Sequence, residues 1–99
     1  MRVKEVVLMN NERKAVCHEL KTFPEYFVEI VNGNKAFEIR LNDRDYRVGD
    51  SVTLKEWTSE DGYSGREIHG YITYVLTDDF VGLTEGYVAL GLEIGLIVK

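Results

Sequence analysis

The most regular hydrophobic pattern in the chain is a strict alternation between residues 35 and 41. Phe37, Ile39 and Leu41 fall on one face, and Glu38 and Arg40 fall on the other. A period of two is typical of a β-strand with unlike faces. We therefore predict a strand that buries its apolar face and presents a polar one.

Other extended segments flank this strand. The turn signal Glu60-Asp61-Gly62 separates two of them and predicts an antiparallel hairpin. The predicted segments cover residues 2 to 9, 15 to 21, 51 to 57, 66 to 76 and 87 to 92, with an apolar tail at 94 to 98.

One short helix is predicted after residue 21. Thr22 and Glu25 stand three positions apart, as in a capping box, and Pro24 falls in the first turn, where its missing N–H does no harm. Apolar residues then recur at helical spacing as far as Val31. Asn32-Gly33 follows as a left-handed stop signal, so the helix should end there.

Together these elements predict a mainly β chain with one or two short helices, an α+β fold that forms a small closed or nearly closed barrel. The length of 99 residues predicts a single domain over residues 1 to 99. The residues expected in its core are Phe23, Phe27, Ile30, Phe37, Ile39, Val52, Leu54, Ile72, Val88 and Leu90.

Composition and charge narrow the range of ligands and cellular compartments expected for the chain. The net charge of −5 argues against a basic surface that grips a long duplex. Four cations nevertheless fall between residues 35 and 47, which favours a small local anion site. The single cysteine, Cys17, excludes an internal disulfide and favours a reducing compartment, the cytoplasm. We expect no membrane span, no metal site and no cofactor.

The strongest chemical signal is the cluster Lys35, Glu38 and Arg40. Glu38 and Arg40 are two positions apart, so they share one face of their strand at about 7 Å. Lys35 and Arg40 could bind a phosphate or a base edge, and a partly buried Lys35 could work with Glu38 as an acid-base pair. The alternative is an exposed sheet face that carries a salt bridge.

These residues also resemble a known family. Gly33-x-Lys35-x-x-Glu38-x-Arg40 is similar to the G-x-K-x-x-E-x-R signature of ASCH domains, which are PUA-like barrels. The flanking residues resemble a small prokaryotic and phage family of unknown function close to ASCH, over about residues 16 to 92. They are His18 to Lys21, Pro24 to Phe27, Asn42 to Asp45, Val48 to Asp50, Glu56-Trp57, Tyr63 to Arg66 and Gly86 to Gly91.

The resemblance implies a PUA-like barrel whose signature residues face a ligand in a polar cleft beside the helix. ASCH domains are generally proposed to bind RNA, so the expected partner is RNA or a nucleotide-like ligand. The expected ligand-binding residues are Lys21, Lys35, Glu38, Arg40, Arg44, Trp57 and Tyr63.

Two other functions stay open. One branch of the superfamily is an acetylcytidine amidohydrolase that uses the signature Lys with a Thr three residues later. Here Glu38 occupies the Thr position, so any hydrolysis would depend on Lys35 and Glu38, with Glu56 or Glu67 as a third residue. The second alternative is a partner-binding scaffold that dimerises through the apolar termini, residues 6 to 9 and 94 to 98.

Several polar and aromatic residues have two interpretations. His18 alternates with Val16 and Leu20 and so shares their apolar face, which favours a core histidine. Arg44 could hold its own turn or contact a ligand. Trp57 and Tyr63 could stack on a base, or they could pack as a cross-strand pair.

Overall fold

The computed structural model describes residues 13–99, and this part of the chain contains one helix and five strands. The predicted strand at residues 2 to 9 lies outside the described residues. The elements are β1 (Cys17–Thr22), α1 (Pro24–Val31), β2 (Phe37–Leu41), β3 (Ser51–Thr58), β4 (Gly62–Leu76) and β5 (Tyr87–Val98).

All five strands belong to one curled sheet with the order β1-β3-β4-β5-β2, which forms a half-barrel. β3, β4 and β5 form an antiparallel meander, and the predicted hairpin joins the first two at Gly62. β1 runs parallel to β3, and β2 runs antiparallel to β5. The predicted small, mainly β, barrel-like α+β fold with a short helix is confirmed.

β1 and β2 are the two edges of the sheet, and arginine side chains connect them. Arg40 of β2 donates from Nη2 to the Lys21 carbonyl at 2.8 Å. Arg44, in the following loop, donates from Nη1 to the Glu19 carbonyl, also at 2.8 Å. The two carbonyls are two residues apart and so lie on the same edge of β1. We call this junction the seam, which guanidinium groups bridge from the β2 side.

The helix ends where predicted but begins differently. Phe23 is the N-cap and makes no side-chain cap hydrogen bond, so the predicted capping box is wrong. Thr22 is instead the buried last residue of β1. At the other end, Gly33 has φ 80°, and the amides of Gly33 and Asn34 donate to the carbonyls of Ile30 and Glu29. This is a Schellman motif, and it turns the chain sharply towards β2.

Most of the predicted core residues are buried in one cluster beneath the sheet and α1. Phe23, Phe37 and Ile39 are exceptions, at 48%, 46% and 54% exposed. The confirmed ones are Phe27, Ile30, Val52, Leu54, Ile72, Val88 and Leu90, and the cluster also contains Leu20, Tyr46, Ile68 and Leu92.

The faces of β2 are therefore the reverse of the prediction. Glu38 is 4% exposed, whereas Phe37, Ile39 and Leu41 point outwards. β2 is an edge strand, and its inner face meets β1 across the seam. At the seam, cations pair with the Glu38 carboxylate, and backbone carbonyls accept hydrogen bonds from arginine side chains such as that of Arg40. The polar face of β2 can therefore be buried.

The C-terminal apolar tail is part of β5. Ile94 and Ile97 pair with Gly70 and Ile68 of β4, so this tail is paired into the sheet, as predicted, although Leu96 is 59% exposed. The other apolar terminus, Val6 to Met9, lies outside the described residues. No helix between residues 13 and 99 combines the length and hydropathy needed to cross a membrane.

Gly70 marks a register shift between β4 and β5, and we expect Gly70→Ala to destabilise the fold. An added Cβ would lie 2.6 Å from the Glu93 backbone oxygen, and backbone cannot move aside cheaply. Overpacking of this kind costs about 1–3 kcal/mol. Urea unfolding measures the change. Gly95→Ala is the control, since its nearest atom would be 3.5 Å away; equal stability of the two variants would contradict the prediction.

Candidate functional site

A cavity of about 430 Å³ opens between the end of β1, α1 and β2. Its size falls in the range of small-molecule sites. The Schellman motif brings Lys35 to its edge, and the alternation of β2 brings in Glu38 and Arg40 together. We call it the cleft; it is lined by Lys21, Thr22, Phe23, Tyr26, Lys35, Phe37, Glu38, Ile39 and Arg40.

The three signature side chains meet in the cleft. Lys35 Nζ donates to Glu38 Oε2 at 2.6 Å and to the Phe37 carbonyl at 2.7 Å. Arg40 donates to Glu38 Oε1 from Nε at 2.9 Å and from Nη2 at 2.7 Å. The convergence beside the end of α1 agrees with the prediction. The ends are also paired with one another, as the salt-bridge alternative expects, whereas the ligand-site hypothesis predicted that they would not be fully paired.

Glu38 neutralises only part of the charge around it. Lys21, Lys35 and Arg40 all line the cleft, and Glu38 is the one carboxylate among the lining residues. Because Glu38 is buried, it orients both of its cationic partners rigidly. The excess of cations makes the cleft suitable for an anionic group, although the whole chain is acidic.

Aromatic rings form the rim of the cleft. Phe23, Tyr26 and Phe37 line it and are each about half exposed. The Lys35 ammonium lies 5.7 Å from the Tyr26 ring centroid and 5.0 Å from that of Phe37. Sequence reasoning missed all three as site residues. The helical spacing of the sequence could have identified Tyr26, because Tyr26 does not lie on the helix face that buries Phe27 and Ile30.

A second cavity of about 350 Å³ is lined by residues of β1, β3 and β4 together with Arg40 and Arg44. Two of the predicted ligand residues, Arg44 and Tyr63, line this cavity rather than the cleft. Lys21 and Arg40 line both cavities. We call it the basic cavity; it is lined by Glu19, Leu20, Lys21, Arg40, Arg44, Lys55 and Tyr63.

Trp57 lines neither cavity. Its ring packs on Phe23 with 6.2 Å between centroids, and the Lys21 ammonium covers it at 4.3 Å. It also pairs with Tyr63 across the β3–β4 hairpin. Trp57 therefore packs as a cross-strand partner, and its ring supports the Lys21 side chain.

A buried charge centre lies apart from both cavities. Asp50 is 1% exposed and accepts from Arg13 at 3.0 and 3.1 Å, and it contacts His18 Nε2 at 2.8 Å. The amides of Val16 and Arg47 donate to it as well. This confirms His18 as a core histidine. Sequence reasoning missed Asp50, which reads as an ordinary turn residue.

These contacts decide the ionisation of the centre. Burial raises the pKa of Asp50, but the hydrogen bonds from Arg13, His18 and two amides outweigh it, and the pKa lies well below its usual range. The hydrogen bond to Asp50 likewise raises the pKa of Arg13. Burial raises the pKa of the neighbouring Tyr46. Asp50 is thus a permanently ionised structural residue near neutral pH.

The remaining candidates lie elsewhere. Glu56 accepts from Ser64 Oγ at 2.7 Å, and Glu67 contacts His69 at 3.1 Å; neither lines the cleft. Among residues 13–99, no three His, Cys, Asp or Glu side chains come together in a group that could hold a metal ion.

Comparison with known proteins places the chain in a family. A family model described as "Domain of unknown function (DUF3850)" matches residues 17–92. The chain belongs to the DUF3850 family. It is also 36% identical over 84 residues to a protein of Escherichia phage P2 described as "Uncharacterized 12.9 kDa protein in GpA 3'region", a match that spans 85% of this chain and 74% of the phage protein. The DUF3850 match contains every lining residue of both cavities.

Proposed function

We propose that this DUF3850 protein binds RNA or a nucleotide-like ligand in the cleft. The observation that carries the proposal is that excess cations and exposed aromatic rings line one cavity. Lys21 and Arg40 would hold a phosphate, and Tyr26 or Phe37 would stack on the base. Charge-assisted contacts to phosphate and aromatic stacking are the two means by which proteins hold single-stranded nucleic acid.

The ASCH resemblance supports the same proposal. Three of its signature residues, Lys35, Glu38 and Arg40, line the cleft beside the helix, where that resemblance expects a ligand. The barrel-like sheet is compatible with a PUA-like fold. Glu38 would act as the orienter of the two cations, and the loop from 42 to 47 would border the ligand.

Amidohydrolysis of a modified nucleoside is the weaker alternative. Its supporting observation is the short contact between Lys35 and Glu38. A general base needs an oxygen free to take a proton, however, and each Glu38 oxygen already accepts from a cation. Glu56 and Glu67, which could have completed a catalytic set, lie outside the cleft. A scaffold that dimerises through its termini draws no support from the cleft.

The cleanest test uses Lys21. Its ammonium lies over Trp57 and forms no ion pair with any other of residues 13–99, so Lys21→Gln should leave the fold intact. We expect about a tenfold weaker affinity for a short single-stranded RNA, because one charge-assisted contact is lost. Fluorescence anisotropy at several salt concentrations measures it, with thermal unfolding in parallel.

Lys14→Gln is the matched control, since it makes the same charge change at an exposed residue outside both cavities. An equal loss of affinity in Lys14→Gln would reduce the effect to net charge and refute a role for the cleft. Failure of the unsubstituted protein to retain RNA even at low salt would refute the proposed function itself.

A further inference from the structure

The basic cavity concentrates positive charge more strongly than the cleft does. Four cations, Lys21, Arg40, Arg44 and Lys55, line it against the single carboxylate of Glu19. The chain has 12 basic and 17 acidic residues overall, so a third of its basic side chains line this cavity; two of them, Arg40 and Arg44, also have acidic partners in Glu38 and Asp43. Such local reversal of the overall charge is what an anion site requires.

The lysines are placed at an electrostatic cost. Lys21 and Lys55 are direct neighbours in the register of the parallel β1–β3 pair, which brings like charges side by side. Glu19, which is itself mostly exposed, is 3.6 Å from Lys55, and Lys55 also faces Glu67 of β4 in the register of the β3–β4 pair. Like charges on adjacent strands destabilise a sheet, and a shared anion would relieve the repulsion.

The two cavities differ in character but share two lining residues. Aromatic rings dominate the rim of the cleft, whereas the basic cavity is lined mainly by charged groups and one exposed ring, that of Tyr63. Lys21 and Arg40 line both, so a ligand held at these residues can extend into either cavity. The Lys55 ammonium lies 5.2 Å from the Tyr63 ring centroid, which places a cation and a stacking surface together there.

We propose that the basic cavity receives the next phosphate of a single-stranded RNA whose first nucleotide occupies the cleft. This inference rests on the proposed function and specifies its ligand as a strand of two or more nucleotides. Lys21 and Arg40 hold the phosphate between the two units, Lys55 and Arg44 hold the following one, and Tyr63 stacks on the second base. A free nucleoside diphosphate would use the cations but leave Tyr63 without a role.

The test compares three probes by calorimetry or anisotropy: uridine 5′-monophosphate, uridine 5′-diphosphate, and a uridine tetranucleotide. We expect the tetranucleotide to bind at least tenfold tighter than the monophosphate, and the diphosphate to fall between them because it engages cations but not Tyr63. The ratio of the monophosphate Kd to the tetranucleotide Kd measures the gain from the second subsite. Lys55→Gln should reduce this ratio about threefold or more, and Tyr63→Ala should reduce it further. Lys35→Gln should weaken both probes in proportion and leave the ratio unchanged.

The outcomes separate this inference from the proposed function. If the monophosphate binds and the tetranucleotide gains nothing, the cleft hypothesis stands and the second subsite is refuted. If the diphosphate binds as tightly as the tetranucleotide, the basic cavity holds a phosphate chain and the strand is refuted. If no probe binds, the proposed function fails. Arg44→Gln, which also removes a seam contact, serves as a second variant only after its thermal unfolding matches that of Lys55→Gln.

Discussion

Asp50→Asn is expected to lower the free energy of unfolding by about 3 kcal/mol or more, because removing one partner of a buried ion pair leaves the other charges uncompensated. Arg13 and His18 both lose their carboxylate partner, and an amide offers one acceptor oxygen where the two carboxylate oxygens make five hydrogen bonds. A domain of this size has a total stability of only about 5–15 kcal/mol. The melting temperature should therefore fall by more than about 10 °C.

Asp61→Asn is the matched control, since it makes the same change at an exposed turn. Chemical unfolding of both variants at pH 7 measures the difference. If the two substitutions cost the same, the Asp50 centre contributes no more than a surface carboxylate.

The Asp50 centre also predicts a pH dependence of stability. A carboxyl group whose pKa is lowered on folding stabilises the native state fully above its ordinary pKa of about 4, and loses that contribution as the pH falls towards the folded-state pKa. The stability difference between the unsubstituted protein and Asp50→Asn should thus be full at pH 7 and shrink by about 1.4 kcal/mol per pH unit below pH 4. A constant difference down to pH 2 would contradict the assignment.

Arg40→Ala is expected to have the largest effect on ligand binding. Arg40 lines both cavities, and losing one partner of a desolvated charge-assisted contact costs about 2–5 kcal/mol, or well over tenfold in Kd. Arg40→Lys should recover part of this loss, since an ammonium keeps the charge without the bidentate fork. Titration with a single-stranded RNA measures all three proteins.

Arg40 is also structural, so stability must be measured beside affinity. Its loss leaves the buried Glu38 with Lys35 alone and removes a seam contact, which should cost about 2 kcal/mol of stability. The double variant Glu38→Gln, Arg40→Gln removes both charges together and should regain stability but not affinity. If that variant binds RNA normally, Arg40 contributes only to the fold and the site assignment is wrong.

Local sequence signals predicted the elements of this fold well. The strands, the hairpin at Gly62 and the helix stop at Asn32-Gly33 depend on turn residues and periodicity within a few positions. The inward face of β2 depends on something else. Alternation shows that Phe37 and Glu38 lie on opposite faces, but only the seam with β1, which is distant in the sequence, decides which of them is buried.

The residues of the candidate site also divide into those that the local sequence predicts and those that depend on distant strand pairing. Lys35, Glu38 and Arg40 lie within six positions, so their convergence was readable from the sequence. Lys21 and Lys55 come together only because β1 pairs with β3, a topology that no short pattern encodes. Asp50 was missed because its burial comes from the chain segment around Arg13 and His18. The local sequence around an aspartate in a turn does not indicate such distant partners.

The strand order has a consequence for how the molecule folds. The β3-β4-β5 meander joins neighbours along the chain, whereas β1 and β2 must close long loops, with Cys17 meeting Ser51 and Phe37 meeting Gly91. Loop-closure entropy makes such distant pairings late events in folding. The cleft lies between these two strands, so we expect it to be assembled last, on a scaffold that the meander has already formed.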